Sequence, residues 1–268
     1  SARIMLRRPL VCLASTPLSL LLSLSILLSS LTATPIPPLI IHAGGRIDGV
    51  TGTNSLEALE ETYAVGGRAI EIDFDWTSDG HLVCIHDFTD RFTTQLNGEP
   101  CTLEEFLNIR YLNRYTPITA QELIDWLSSH SDVRLITDFK NDNVTGLETL
   151  AEMAGAYPGL LDQIYPQIYH QSEYYPVRSL GYKNVIYTLY REHYDIRKDA
   201  AGIAAFAADH PLAAVTVPIA IVDQQGTDYV NAINQVNVPL YVHTVNGIQD
   251  IRKYQDMGVY GVYTDYPR

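Results

Sequence analysis

The sequence predicts an α/β protein built as a single (β/α)8 TIM barrel over residues 39–268, and three observations lead there. From Leu39 onward, short apolar β-rich runs alternate with amphipathic helical stretches, the pattern of parallel βαβ units. Eight such runs are present, the number needed to close a barrel. The chain, 268 residues in all, is long enough for one such domain with a large core. An open doubly wound parallel sheet shares the same alternation and is the alternative.

The runs are Leu39–Ala43, Ala69–Phe74, Arg134–Phe139, Ile164–Tyr169, Val185–Tyr190, Ala214–Pro218, Leu240–Val245 and Gly261–Thr264. Helical periodicity occupies Ser55–Val65, Ala120–Ser128, Leu147–Ala156, Tyr174–Leu180, Ile203–Ala208, Tyr229–Gln235 and Ile248–Met257. Asn54 reads as the N-cap of the first helix, with Glu57 completing a capping box. One run breaks the alternation. His81–His86 follows the turn signal Asp79-Gly80, which predicts a hairpin of Asp73–Trp76 with Leu82–His86 on top of the second strand. Thr89–Pro117 then becomes an insertion with a helix near Leu103–Asn108.

Residues 1–38 read as a separate segment. Met5-Leu-Arg-Arg-Pro9 precedes an uncharged run, Leu10–Leu31, and small residues at Ser29–Ala33, as in a secretory signal or an uncleaved anchor. The run exceeds the ~7–15 apolar residues of a signal and reaches the ~20 of a membrane span, although Pro17 and several serines interrupt it. The expectation is export to a periplasmic, extracellular or membrane-anchored location, with membrane association through residues 10–31. Of the three cysteines, Cys84 and Cys101 lie outside this segment, and export permits either a disulfide between them or two free thiols. No Cys/His spacing suggests zinc. The formal net charge is −13, and the N-terminal segment is basic, so the body is more acidic still. That excludes a nucleic-acid backbone as partner.

Barrel chemistry sits where strands end and βα-loops begin. His42 closes the first strand, and the second ends Ile70-Glu-Ile-Asp-Phe-Asp75, which puts Glu71, Asp73 and Asp75 on one face. Asp138 and Lys140 share a face at the end of the third, and the hairpin delivers His86 beside Asp87. A solvated strand face explains any one of these acids, and a structural role any one histidine, but neither explains the set. Carboxylates at a barrel mouth are costly without a compensating cation. Their convergence implies a hard divalent metal, Mg2+ or Ca2+, held through oxygens. A lysine beside it suits a phosphate oxygen, and two histidines supply a general acid and a general base. Gln167 and Tyr187 fall on inward-facing positions, where substrate contact competes with packing.

The chain resembles the glycerophosphodiester phosphodiesterases and their relatives in the phosphatidylinositol-phospholipase-C-like barrel superfamily. The resemblance rests on Ile41-His-Ala-Gly44, Thr53-Asn-Ser-Leu-Glu-Ala58, Gly67-Arg-Ala-Ile-Glu-Ile-Asp73, Thr77–Val83 with Ile85-His-Asp87, Thr137-Asp-Phe-Lys140, His243-Thr-Val-Asn246 and Gly258–Pro267. It implies that His42 and His86 are the acid–base pair, that Glu71, Asp73 and Asp138 bind the metal, and that Lys140 contacts phosphate. It also implies that the Thr89–Pro117 insertion overhangs the site. The departures are specific. Ala43 stands where the family usually has Arg, and Gly52-Thr-Asn-Ser55 where it usually has Pro-Glu-Asn-Thr. Asp138-x-Lys140 replaces the commoner Glu-x-Lys and looks more like the related phospholipases D. His243 stands where the family often has Trp, which makes the pocket wall more polar.

The activity expected is metal-dependent hydrolysis of a glycerophosphodiester-type small molecule, with the neighbouring hydroxyl attacking phosphorus to give a cyclic phosphate. Substrate contacts are assigned to Lys140, Gln167 and His243. The alternatives are a phospholipase C- or D-like enzyme acting on phospholipids or lysolipids, and a non-catalytic barrel that binds sugar phosphates.

Overall fold

Strands β1 (Leu39–Ile41), β2 (Ala69–Trp76), β3 (Leu82–Cys84), β4 (Arg134–Phe139), β5 (Ile164–Ile168), β6 (Ile186–Thr188), β7 (Ala214–Pro218), β8 (Leu240–His243) and β9 (Gly261–Thr264) form one sheet. The computed structural model describes residues 35–267. Of the segment expected as signal or anchor, residues 1–38, all but the last four residues lie outside them, as does the membrane association expected through residues 10–31. Among the described residues no helix is long and apolar enough to cross a membrane.

The sheet order is β1-β9-β8-β7-β6-β5-β4-β2-β3, and a further parallel pairing of β1 with β2, Ile41 opposite Ile70, closes it. That closure settles the choice between barrel and open sheet. β3 is the exception to the parallel order: it pairs antiparallel with the end of β2, Phe74 opposite Cys84 and Trp76 opposite Leu82. The hairpin and the short helix Leu103–Leu107 stand where the sequence places them, over a small core of their own that includes Val83, Ile85, Phe106 and Tyr111.

The barrel interior is layered. Ile40, Ala69, Ile136, Tyr165, Ile186, Ala214, Tyr241 and Tyr263, one from each barrel strand, make a buried cluster with Ile36 and Ala213. Below it the chain itself forms the floor. Tyr241 Oη donates to the carbonyls of Ile36 and Pro37 at 3.1 and 2.6 Å, and Tyr260 Oη donates to Ile36 at 3.1 Å. Residues 36–38, placed by the sequence in the separate N-terminal segment, thus seal the N-terminal end of the barrel. Alternation then dictates the layer above. Two residues further along each strand come His42, Glu71, Asp138, Gln167, Thr188, Thr216, His243 and Asp265. All eight are polar, so the same geometry that builds an apolar lower core builds a polar mouth.

The outward faces of the strands pack on the helices in one continuous apolar layer. Phe74 and Phe139 stack there at 4.9 Å, and Gly146 of helix Asn143–Ala154 lies against Phe139 so closely that a Cβ would fall 2.1 Å from its ring. Helix Ile219–Asn234 begins well before the predicted Tyr229 because it runs through a break at Gly226 (φ 75°, ψ −165°). Cys84 and Cys101 are both buried free thiols. Tyr187 packs in the outer apolar layer.

The predicted Asn54–Glu57 capping box does not form. Helix Leu56–Ala64 is capped by Ser55, whose Oγ accepts from Ala58 N at 3.2 Å. Glu57 instead accepts from Thr116 N and Oγ1 at 2.8 and 2.7 Å. Asn54 adopts φ 49°, a conformation that asparagine tolerates better than most residues, and turns its amide towards Asp73.

Candidate active site

His42 leaves β1 in a tight turn, His42–Gly44, that ends at Gly45. Gly45 has φ 97°, and a Cβ there would meet Thr62 Oγ1 at 2.2 Å, so the turn depends on glycine. His42 Nδ1 lies 2.8 Å from Asp265 Oδ1, while Nε2 faces Glu71 Oε1 at 3.8 Å. Asp265 is itself fixed by Asn246, which donates from Nδ2 to Oδ2 at 2.8 Å and accepts from the Asp265 N–H at 2.9 Å. The same two-bond clasp recurs across the mouth. Asn54 Nδ2 donates to Asp73 Oδ2 at 2.9 Å, and the Asp73 N–H donates to Asn54 Oδ1 at 3.0 Å.

Two of the three buried carboxylates meet one cation. Lys140 Nζ lies 3.1 Å from Asp73 Oδ1 and 2.9 Å from Asp138 Oδ2. Asp138 Oδ1 also accepts from Tyr169 Oη and, at 2.9 Å, from Tyr190 Oη. Burial alone would raise Asp138, but the Lys140 charge and the hydrogen bonds from Tyr169, Lys140 and Tyr190 outweigh it and hold its pKa low. Burial would likewise lower Lys140, yet Asp138 and Asp73 raise it. Glu71 has no such cation in contact. Gln167 Nε2 donates to its Oε2 at 2.9 Å, and burial, reinforced by Asp138 and Asp73 and opposed by His42, pushes its carboxyl up to about 8. For His42, burial is overcome by the Asp265 hydrogen bond and the Glu71 and Asp73 charges, which raise it to about 9.

His42, Glu71, Asp138, Lys140, Gln167 and His243 all border one cavity of about 310 Å3 at the C-terminal mouth. Asp73 does not border it, but is clasped by Asn54 and lies 3.1 Å from Lys140. Gln167 is fully engaged: Nε2 donates to Glu71 and to Thr137 O, and Oε1 accepts from Tyr263 Oη at 2.7 Å. His86 stands apart from this cavity. It lies just beyond Ile85, whose N–H donates to Asp73 O at 3.0 Å, and is half exposed with Nδ1 2.6 Å from Asp87 Oδ2. It borders a small neighbouring cavity with Thr53 and Arg91. Burial would raise Asp87, but its hydrogen bonds with Thr89 and His86 lower it to about 2. Arg46, two residues past Gly44, stacks on Tyr266 at 4.9 Å and does not border the main cavity.

Among the described residues no three carboxylate, imidazole or thiol groups stand close enough together to grip one ion, and Lys140 bridges Asp73 and Asp138. The donor chemistry of Glu71, Asp73 and Asp138 still fits a hard divalent cation. All three offer carboxylate oxygens, and the buried Asp73 Oδ1 has only the Lys140 ammonium as a partner.

Sequence reasoning missed five residues of the site. Asp265 and Asn246 lie in stretches that carried the family resemblance, Thr264-Asp-Tyr-Pro267 and His243-Thr-Val-Asn246. Tyr169 and Tyr190 lie one step beyond Gln167 and Thr188 on the inward faces of their chains. Asn54 was legible only as a helix cap.

Residues 43–268 match the sequence profile described as the Glycerophosphoryl diester phosphodiesterase family. Mouse Glycerophosphodiester phosphodiesterase 1 is 30% identical over 139 residues, covering 50% of this chain and 40% of that protein. The human protein of the same name is 39% identical over 74 residues, 28% of this chain and 22% of its own length. The chain thus spans well under half of these curated relatives. Among solved structures, a glycerophosphodiester phosphodiesterase from Parabacteroides distasonis superposes with TM-score 0.67 at 18% identity, covering 86% of this chain and 93% of that one. An Oleispira antarctica phosphodiesterase in complex with the product sn-glycerol-3-phosphate gives 0.64 at 19% identity, covering 87% and 94%. At these identities the structures speak for the fold, and the match over 43–268 for the lineage: the chain belongs to the glycerophosphoryl diester phosphodiesterase family.

Proposed function

We propose that this chain hydrolyses glycerophosphodiester-type substrates at the barrel mouth. The observation that carries the reading is His42, clasped through Nδ1 by Asp265 while Nε2 faces a cavity bordered by Glu71, Asp138 and Lys140. That arrangement fixes which ring nitrogen is available to exchange a proton with substrate. His86, held by Asp87, is the second proton-exchanging group. One histidine takes the proton of the hydroxyl next to the phosphate, that oxygen attacks phosphorus, and the other histidine protonates the departing alcohol. The product of this step is a cyclic phosphate. Glu71, Asp73 and Asp138 would hold Mg2+ or Ca2+, which when bound supplies positive charge against the phosphate oxygens. Lys140, between Asp73 and Asp138, adds a fixed positive charge at the same place. Gln167 keeps Glu71 oriented, and His243 lines the wall of the cavity away from the acids.

A cavity of about 310 Å3 accommodates a headgroup diester. The family membership and the glycerol phosphate complex of the Oleispira antarctica relative agree with that reading. The test is 31P NMR of protein with glycerophosphocholine, glycerophosphoinositol, lysophosphatidylcholine and phosphatidylinositol, each with Mg2+, Ca2+ or EDTA. The expected result is a cation-dependent monoester or cyclic phosphate signal from the first two, abolished in His42→Ala. Turnover confined to the lipids, or undiminished in EDTA, would overturn the corresponding part of the proposal.

A further inference from the structure

The cavity has two unlike walls, and the sheet order shows why. β4 and β8 stand four strands apart in a ring of eight, as do β2 and β7. Asp138 on β4 therefore faces across the barrel towards His243 on β8, and Glu71 on β2 towards β7. The first wall is charged. The second, formed by Thr188, Pro218, His243 and Thr244, carries no formal charge beyond what the imidazole takes up. Burial holds His243 down to about 4, so the ring is neutral at physiological pH.

Only one ring nitrogen of His243 has a partner. Nδ1 lies 2.8 Å from Thr216 Oγ1, whereas Nε2 is shielded from solvent and makes no hydrogen bond. The ring is set between Tyr190 and Tyr263, whose centroids are 5.9 and 5.8 Å away. A buried polar atom without a partner costs free energy in a folded protein, so a group entering the cavity that His243 borders gains by supplying one. Resting on the glycerophosphodiester reading, we infer that His243 Nε2 binds a free hydroxyl of the substrate alcohol that is not the attacking one, so that the site selects polyol diesters.

The chemistry singles out a hydroxyl. A neutral imidazole presents a donor or an acceptor at Nε2 according to its tautomer, and a hydroxyl serves either. A quaternary ammonium offers no hydrogen bond, and a carboxylate would face the acids across the cavity. With the phosphate on the charged wall and its neighbouring hydroxyl at His42, the remaining hydroxyl of a glyceryl group falls to the neutral wall.

The test compares glycerophosphocholine with 2-hydroxypropyl phosphocholine, which keeps the attacking hydroxyl and lacks the outer one. kcat/KM for both is measured in wild type, His243→Asn and His243→Gln. Asn retains an amide group near the Nδ1 position and removes Nε2, while Gln places its amide near Nε2. Wild type is expected to favour the glyceryl substrate by about ten-fold or more. The preference should disappear in His243→Asn and persist in part in His243→Gln. A binding arm repeats the comparison by calorimetry with sn-glycerol 3-phosphate and 2-hydroxypropyl phosphate. No turnover of either diester would overturn the proposed activity, and the binding arm would then decide the inference alone. Equal treatment of the two ligands by wild type, or an equal preference in His243→Asn, would overturn the inference.

Discussion

Asp138 Oδ1 receives two phenol hydrogens, and the two tyrosines that supply them are not equivalent. Tyr190 Oη donates to Asp138 alone, from a partly exposed position. Tyr169 Oη donates to Asp138 and also accepts the Phe139 N–H at 2.8 Å, in a buried setting. Tyr190→Phe therefore removes one hydrogen bond to a charged group, about 1.5 kcal/mol at the low end of the usual range for a partly solvated site. Tyr169→Phe removes a similar bond and leaves a buried backbone N–H unpaired, adding about 1–3 kcal/mol. Both variants keep their rings, so the 3.9 Å stacking of Arg191 on Tyr169 survives. Tyr169→Phe should thus be the more destabilising by at least about 1 kcal/mol, or some 2–4 °C in Tm for a chain of this size. Urea unfolding at neutral pH, followed by intrinsic fluorescence, measures both. If Tyr190→Phe costs as much as Tyr169→Phe, the bifunctional role of the Tyr169 hydroxyl is wrong.

Two further outcomes follow from contacts described above. Asp265→Asn should bring the His42 pKa down from about 9, because its side-chain hydrogen bond leads the influences that raise it. A histidine raised on folding stabilises below its unfolded pKa of 6.5 and loses that contribution as pH rises through about 9. The variant's decline in stability should therefore be smaller and end at lower pH; an imidazole NMR titration unchanged from wild type would refute this. Gly146→Ala places a Cβ 2.1 Å from the Phe139 ring and should cost about 1–3 kcal/mol by overpacking, read as a lower urea midpoint. A neutral effect would mean that the helix and β4 separate freely.

The barrel was legible because its strands carry alternating, β-rich runs between helical ones. Arg134–Phe139, Ala214–Pro218 and Gly261–Thr264 end where the sequence puts them. The first strand is shorter than predicted because the His42–Gly44 turn takes over its last residues. Glu71 and Asp73 were legible from period-two alternation. The clasp on Asp73 was not, because Asn54 is 19 residues from Asp73 in the chain and its spacing to Glu57 imitates a capping box. His42 and Asp265 are separated by 223 residues, and only barrel closure makes β1 and β9 neighbours. Local pattern finds residues on the same strand, whereas partners brought together by closure need the strand order.

The floor built from Ile36, Pro37 and Pro38 fixes a direction as well as a seal. β1 starts there and runs upward to His42, so the polypeptide enters through the sealed base while the cavity opens at the far rim. Among the described residues, the attachment point at Pro35 therefore lies at the end of the barrel opposite the cavity. A surface linked directly at Pro35 would restrict the base of the barrel before it obstructed the mouth.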